Sequence, residues 1–241
     1  VALGCAAVTQ AHAESFFQIE VGVGASIYTK QGDGIYYNEG FDHHTQVVVP
    51  AFRAGFMLTP IDADPHSWRP GLRLHAVYLN FGKISWSSQS PQDAADFTDR
   101  GMRGGYDSAT KGCIDNDCGQ MSDFRSYGRI QALALTIEPY WDVGSGWSVG
   151  FEAGPALYRT TWMTHATVET PGWKLGPPGT LHVLSTSPKL RVGAVAGLSV
   201  SKGHFSVRYN YIFAPAAGGS ADNEQVPGVK GAHMVTLNYT F

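Results

Sequence analysis

Nowhere in the 241 residues does an apolar run reach 18 residues, which rules out an ordinary transmembrane helix. Charge is scarce too: 15% of residues are Asp, Glu, Lys or Arg, and the formal net charge is −3. Such a chain lacks a basic footprint, so no nucleic-acid partner is expected. Pairs such as Gly22 and Gly24 are not phosphate loops, because they interrupt an alternating segment with no helix after it. What the chain does hold is 29 Gly, 12 Phe, 11 Tyr and 6 Trp at a mean hydropathy of −0.13. Membrane-spanning strands alternate apolar and polar residues, so a low mean hydropathy is compatible with a membrane barrel.

Residues 1–13 read as the truncated remnant of a secretory signal peptide, with Ala11-His12-Ala13 as the cleavage site. A tail of small disordered residues and a lipoprotein signal at Cys5 are the competing readings. Residues 14–241 are expected to form a single domain. Export implies an oxidising compartment, where Cys113 and Cys118 read as one disulfide inside a loop. A metal pair is the alternative, but no second pair of ligands lies close in sequence. No metal or cofactor is expected. Asp42, His43 and His44 lack an identifiable further ligand.

Period-two alternation recurs along the chain. Phe17, Ile19, Val21, Val23, Ala25 and Ile27 oppose Gln18, Glu20, Gly22, Gly24, Ser26 and Tyr28, which predicts a strand over 16–29. Similar patterns predict strands over 46–58, from 72 to about 86, 129–141, 147–158, 188–201, 205–213 and 231–241. Pro50 weakens the second of these, since proline removes a ladder donor. Lost alternation over 79–82 predicts a bulge in the third. The connections run long, short, long, short, long, short, long, and the longest, 87–127, shows no periodicity. The flanks of 162–187 are expected to extend two strands as a hairpin. Long loops on one side and short turns on the other suit a barrel with extracellular loops and periplasmic turns.

In this architecture, and in the closing Val235, Leu237, Tyr239 and Phe241, the chain resembles the small outer-membrane barrels, the family that includes the OmpA membrane domain and OmpX. The resemblance implies an all-β fold: a closed, antiparallel, up-and-down transmembrane barrel of eight strands. It also implies that the four alternating C-terminal residues are the signal read by the barrel-assembly machinery. Expected partners are that machinery, outer-membrane lipid or lipopolysaccharide, and an extracellular ligand or protein at the loops. The expected state is a monomer in the outer membrane of a Gram-negative-type bacterium.

The inward face collects Glu20, Glu138 and Glu152 with Arg53, Arg73, Lys189, Arg191 and Arg208. An eight-stranded barrel is just wide enough for side chains to fill, and buried charges there must be paired. The expected role is therefore a structural ion-pair plug, with a narrow ion-conducting pore as the alternative. The expected function is structural or surface interaction, through adhesion or recognition at the long loops. Two further readings stay open. One is a lipid A-modifying enzyme using Ser85, Ser87, His165 and Glu169 near the outer rim, although the balance is against catalysis. The other is a soluble secreted ligand-binding barrel, which would reverse the parity of the faces.

Overall fold

The computed structural model describes residues 17–31, 41–46, 48–64, 67–91, 106–107, 110–116, 118–171, 176–186, 190–214 and 228–241. Twelve strands lie in this part: β1 (Phe17–Gln31), β2 (His43–Gln46), β3 (Val48–Ile61), β4 (Gly71–Pro91), β5 (Tyr106–Asp107), β6 (Gly112–Cys113), β7 (Met121–Gly144), β8 (Trp147–Val168), β9 (Leu181–Thr186), β10 (Leu190–Lys202), β11 (Phe205–Phe213) and β12 (Gly228–Thr240). Eight of them close an antiparallel ring in the order β1, β3, β4, β7, β8, β10, β11, β12, and β12 pairs back to β1. The expected joining of the last strand to the first runs from Glu20 opposite Thr240 to Gln31 opposite Gly228. Beyond it, the Phe241 N–H donates to Ile19 O at 2.9 Å. Closure removes the sheet edge that an open eight-stranded array would expose.

The ring is apolar outside and filled inside. Val23, Leu133, Leu135, Ile137, Leu157, Leu198 and Leu237 are exposed, whereas Glu20, Arg53, Glu138, Glu152 and Arg208 are at most 2% exposed. A soluble barrel would reverse this parity; here the solvent for the outer face is hydrocarbon. On β8 the outward apolar positions run from Trp147 to Leu157, a span of the length, about 9–11 residues, that a tilted strand needs to cross a bilayer.

The turns at one end are tight where glycine permits it. Gly144, Ser145 and Gly146 all have positive φ (92°, 55° and 75°) in the β7–β8 turn, and Asp142 Oδ1 accepts from the Gly144 N–H at 2.7 Å. Residues 62–70 between β3 and β4 make a longer connection, tied down where Tyr140 Oη accepts from the Ala63 N–H at 3.1 Å.

The expected bulge in the third spanning strand is present, with register shifting between Asn80 and Lys83 against β7. Gly82 sits in it at φ 79°. Opposite it lies Pro50, whose missing N–H falls where the β3–β4 ladder is interrupted above Phe52 and Asn80. The bulge leaves backbone groups of β4 and β7 to be satisfied from across the lumen. Tyr28 Oη donates to Gly82 O at 2.8 Å and accepts from the Ile130 N–H at 2.9 Å, and Ser26 Oγ donates to Phe81 O.

The expected loop over 87–127 is shorter than its sequence suggested. β4 continues to Pro91 and β7 begins at Met121, paired from Pro91 opposite Met121 downwards. Outside the membrane a strand needs no apolar outer face, so this part of the pairing carries no period-two signal. The expected hairpin flanks of 162–187 are strands: β8 reaches Val168 and pairs with β9. As a result β2, β4, β7, β8 and β9 rise past the apolar belt as a five-stranded sheet.

Candidate functional site

The lumen has two layers. Towards the turn end, side chains from seven ring strands build one polar cluster. Arg53 (β3) is fully buried and donates from Nε to Glu20 Oε1 at 2.8 Å, from Nη1 to Asn210 Oδ1 at 3.0 Å and from Nη2 to Glu152 Oε1 at 3.1 Å. Arg208 (β11) donates from Nη1 to Glu138 Oε2 at 2.6 Å and to Glu152 Oε2 at 3.3 Å. Glu138 also accepts from His75 Nε2 at 2.6 Å, Ser199 Oγ at 2.5 Å and Arg73 Nη1 at 3.2 Å. Thr136 Oγ1 donates to Glu152 Oε1 at 2.6 Å. The loosest corner faces Glu20 Oε2, where Arg208 Nε stands 3.6 Å away. Gly150 makes this packing possible, because a Cβ there would collide with the Glu138 carboxylate.

Charges removed from water cost several kcal/mol each unless partners replace the hydration. Here three guanidiniums (Arg53, Arg73, Arg208) face three carboxylates (Glu20, Glu138, Glu152). Arg73 differs from the rest: its side chain is 14% exposed, and it stacks over the Tyr140 ring at 3.7 Å. It borders an open mouth of about 240 Å³ at the turn end, lined also by Gln18, Asp62, His204 and Thr240.

Above the polar layer the lumen is apolar. Leu79, Phe81, Ile84, Ile130, Tyr158, Trp162, Val195, Ile212 and Met234 form one buried cluster. The Trp162 ring lies against Gly128, where no side chain would fit, and 5.5 Å from the ring of Trp86. Outward from this layer the barrel passes into the projecting sheet. One outward-facing row of that sheet runs His44, Ser87, Arg125, His165 and Val183.

Of the sequence-predicted lumen charges, Glu20, Arg53, Arg73, Glu138, Glu152 and Arg208 come together. Arg191 does not. It lies opposite Tyr158 at the outer end of β10 and is exposed, although Tyr158 itself is buried; inward parity alone does not bury a side chain at a strand end. Lys189 is outside the described residues. His75, Thr136, Ser199 and Asn210 complete the cluster and were missed as members, although their inward parity was visible. The apolar layer was missed as well: inward positions were expected to be polar.

The rim residues considered for catalysis stay apart. His165 contacts Met163 Sδ at 3.2 Å, Ser85 Oγ donates to Gln46 Oε1 at 3.4 Å, and the Glu169 carboxylate accepts from Gln89 Nε2. Ser87 and His165 flank Arg125 in one row, two inter-strand spacings or about 10 Å apart, so His165 is not within reach of Ser87. Cys113 and Cys118 place their sulfurs in bonding position, with Cα atoms 4.7 Å apart. Val235, Leu237, Tyr239 and Phe241 form the exposed outer face of the closing strand, and Tyr239 packs against the rings of Phe205 and Phe241.

No family model matches the chain, and no curated protein does either. Among solved structures it is similar to Ail, the attachment invasion locus protein of Yersinia pestis, solved with the heparin analogue sucrose octasulfate. The identity is 14% over 95% of this chain and 99% of that one, with a TM-score of 0.36. It is also similar to Neisserial surface protein A, at 10% identity over 93% of this chain and 95% of that one, with a TM-score of 0.33. At these values the likeness is one of fold alone. By its own closed ring and its inside-out polarity, the chain is a small eight-stranded transmembrane β-barrel of the outer-membrane type.

Proposed function

We propose that the protein is a surface-interaction protein of the outer membrane of a Gram-negative-type bacterium, in which the plugged barrel is the anchor and the projecting sheet presents the binding face. The observation that carries this reading is the length of three neighbouring strands. β4, β7 and β8 have 21, 24 and 22 residues, about twice what a bilayer requires. Residues 121–131 of β7 rise roughly 35 Å along the strand beyond the apolar belt, at about 3.4 Å per residue. A strand extension of that size has no part in spanning the membrane.

The rigid sheet suits recognition better than a free loop would, since less conformational entropy is lost on binding. A disulfide between Cys113 and Cys118 stiffens the connection next to it. Among the described residues the lumen is filled by ion pairs and apolar side chains.

The test uses cells displaying the full chain. Cells expressing the wild type should adhere to cultured epithelial monolayers more than cells lacking it. The R125E/H165A variant should return adhesion to background while the barrel keeps its heat-modifiable mobility on gels. Adhesion that is equal with and without the protein, or unaffected by the variant, overturns the reading.

A further inference from the structure

Where the apolar belt ends on the β4–β7–β8 side, the outer surface carries a cluster of positive charge that no described carboxylate pairs with. Lys83 and Arg129 stand directly opposite each other on β4 and β7. Like charges in that position are destabilising. Arg159 on β8 joins them one row lower, opposite Gln131. All three are exposed, and among the described residues none has a carboxylate within ion-pair distance. Lys83 Nζ rests over the Tyr127 ring at 4.0 Å. Arg159 donates through Nε to Gln131 Oε1 at 3.0 Å, which holds the guanidinium in place and, among the described residues, leaves its terminal nitrogens available. Gln131 Nε2 in turn donates to Tyr78 Oη. The nearby Arg125 is different, because Asp123 neutralises it at 2.9 Å.

Directly below the cluster, on the side of the hydrocarbon, lies a groove of about 540 Å³. Its floor is kept low by the short side chains of Ala54 and Ala76, and Tyr78, Leu133, Leu157 and Val192 also line it. Registers place Tyr78, Leu133 and Leu157 one row beneath Asn80, Gln131 and Arg159. Tyr78 therefore belongs to both parts: its ring lines the groove and its hydroxyl joins the polar chain that ends on Arg159.

We propose that Lys83, Arg129 and Arg159, together with this groove, form a binding site for a phosphorylated lipid of the surrounding outer leaflet. The phosphate bridges the three cations and relieves the repulsion between Lys83 and Arg129, while an acyl chain lies in the groove. The order of the parts, cations above and apolar groove below, matches an amphiphile standing in the leaflet and not a soluble anion. Guanidinium and phosphate are matched in charge and geometry. The site faces lipid, so it is independent of the adhesive face and of whatever that face binds.

The test is native mass spectrometry of the full chain released from detergent, with phosphatidic acid and phosphatidylcholine of the same acyl composition as probes. Phosphatidic acid should bind at one saturable site, on the order of tenfold or more tighter than phosphatidylcholine. K83Q/R129Q/R159Q should abolish that preference, and A76F, which fills the groove and keeps the charges, should weaken binding of phosphatidic acid. Inorganic phosphate in large excess should not displace the lipid. Equal binding of the two lipids, full retention by the triple variant, indifference to A76F, or displacement by inorganic phosphate would each overturn the proposal. The triple substitution touches only exposed side chains; heat-modifiable gel mobility reports that the barrel is intact.

Discussion

Replacing Arg53 by methionine is the most informative single perturbation of the barrel. Methionine keeps much of the volume and removes every donor. Glu20 would lose its hydrogen bond from Nε at 2.8 Å and its ion pair with Nη2 at 2.7 Å, and Glu152 and Asn210 would lose one contact each. Glu152 keeps Thr136, Asn210 and Arg208 as partners. Among the described residues Glu20 keeps Arg208 and His75, both at 3.6 Å. The balance of three guanidiniums against three carboxylates becomes two against three, and all three carboxylates are buried. Removing one partner from a buried pair typically costs about 3–5 kcal/mol, and most of that is expected here because Glu20 is fully buried.

The E20Q change in the R53M background removes the stranded charge, so the double variant should recover stability relative to R53M. Equilibrium urea unfolding in lipid vesicles, followed by tryptophan fluorescence, measures both variants, and a double-mutant cycle extracts the coupling. An R53M protein within about 0.5 kcal/mol of wild type, the range of an ordinary surface change, would refute the account. So would a double variant as unstable as the sum of the two single ones.

Two further outcomes follow from the same structure. In planar bilayers the wild type should be electrically silent, and E138Q should leave it so, because the apolar layer of Phe81, Ile130, Trp162 and Met234 still closes the lumen above the polar one; a steady wild-type channel would refute this. Tyr28→Phe should destabilise the barrel by about 1–3 kcal/mol, the usual penalty for leaving a buried donor unsatisfied, since Ile130 N and Gly82 O both lose the Tyr28 hydroxyl. The same urea titration would show it, and an unchanged midpoint would mean that the bulge finds its hydrogen bonds elsewhere.

Sequence alone determined the parity of the barrel, its eight spanning segments, the bulge near Gly82 and the return of the last strand to the first. Those features rest on neighbours two positions apart and on local turn chemistry, which the one-dimensional order already contains. Tertiary structure decided what meets across the lumen. Arg208 and Glu138, 70 residues apart, share a 2.6 Å hydrogen bond that parity permits but does not specify, and Arg191 has the right parity yet is exposed at the outer end of β10. The apolar upper layer was likewise invisible, because period-two alternation says which way a side chain points and not what fills the space it enters. The projecting sheet and the confrontation of Lys83 with Arg129 depend on strand register, and register is set by closure of the whole ring.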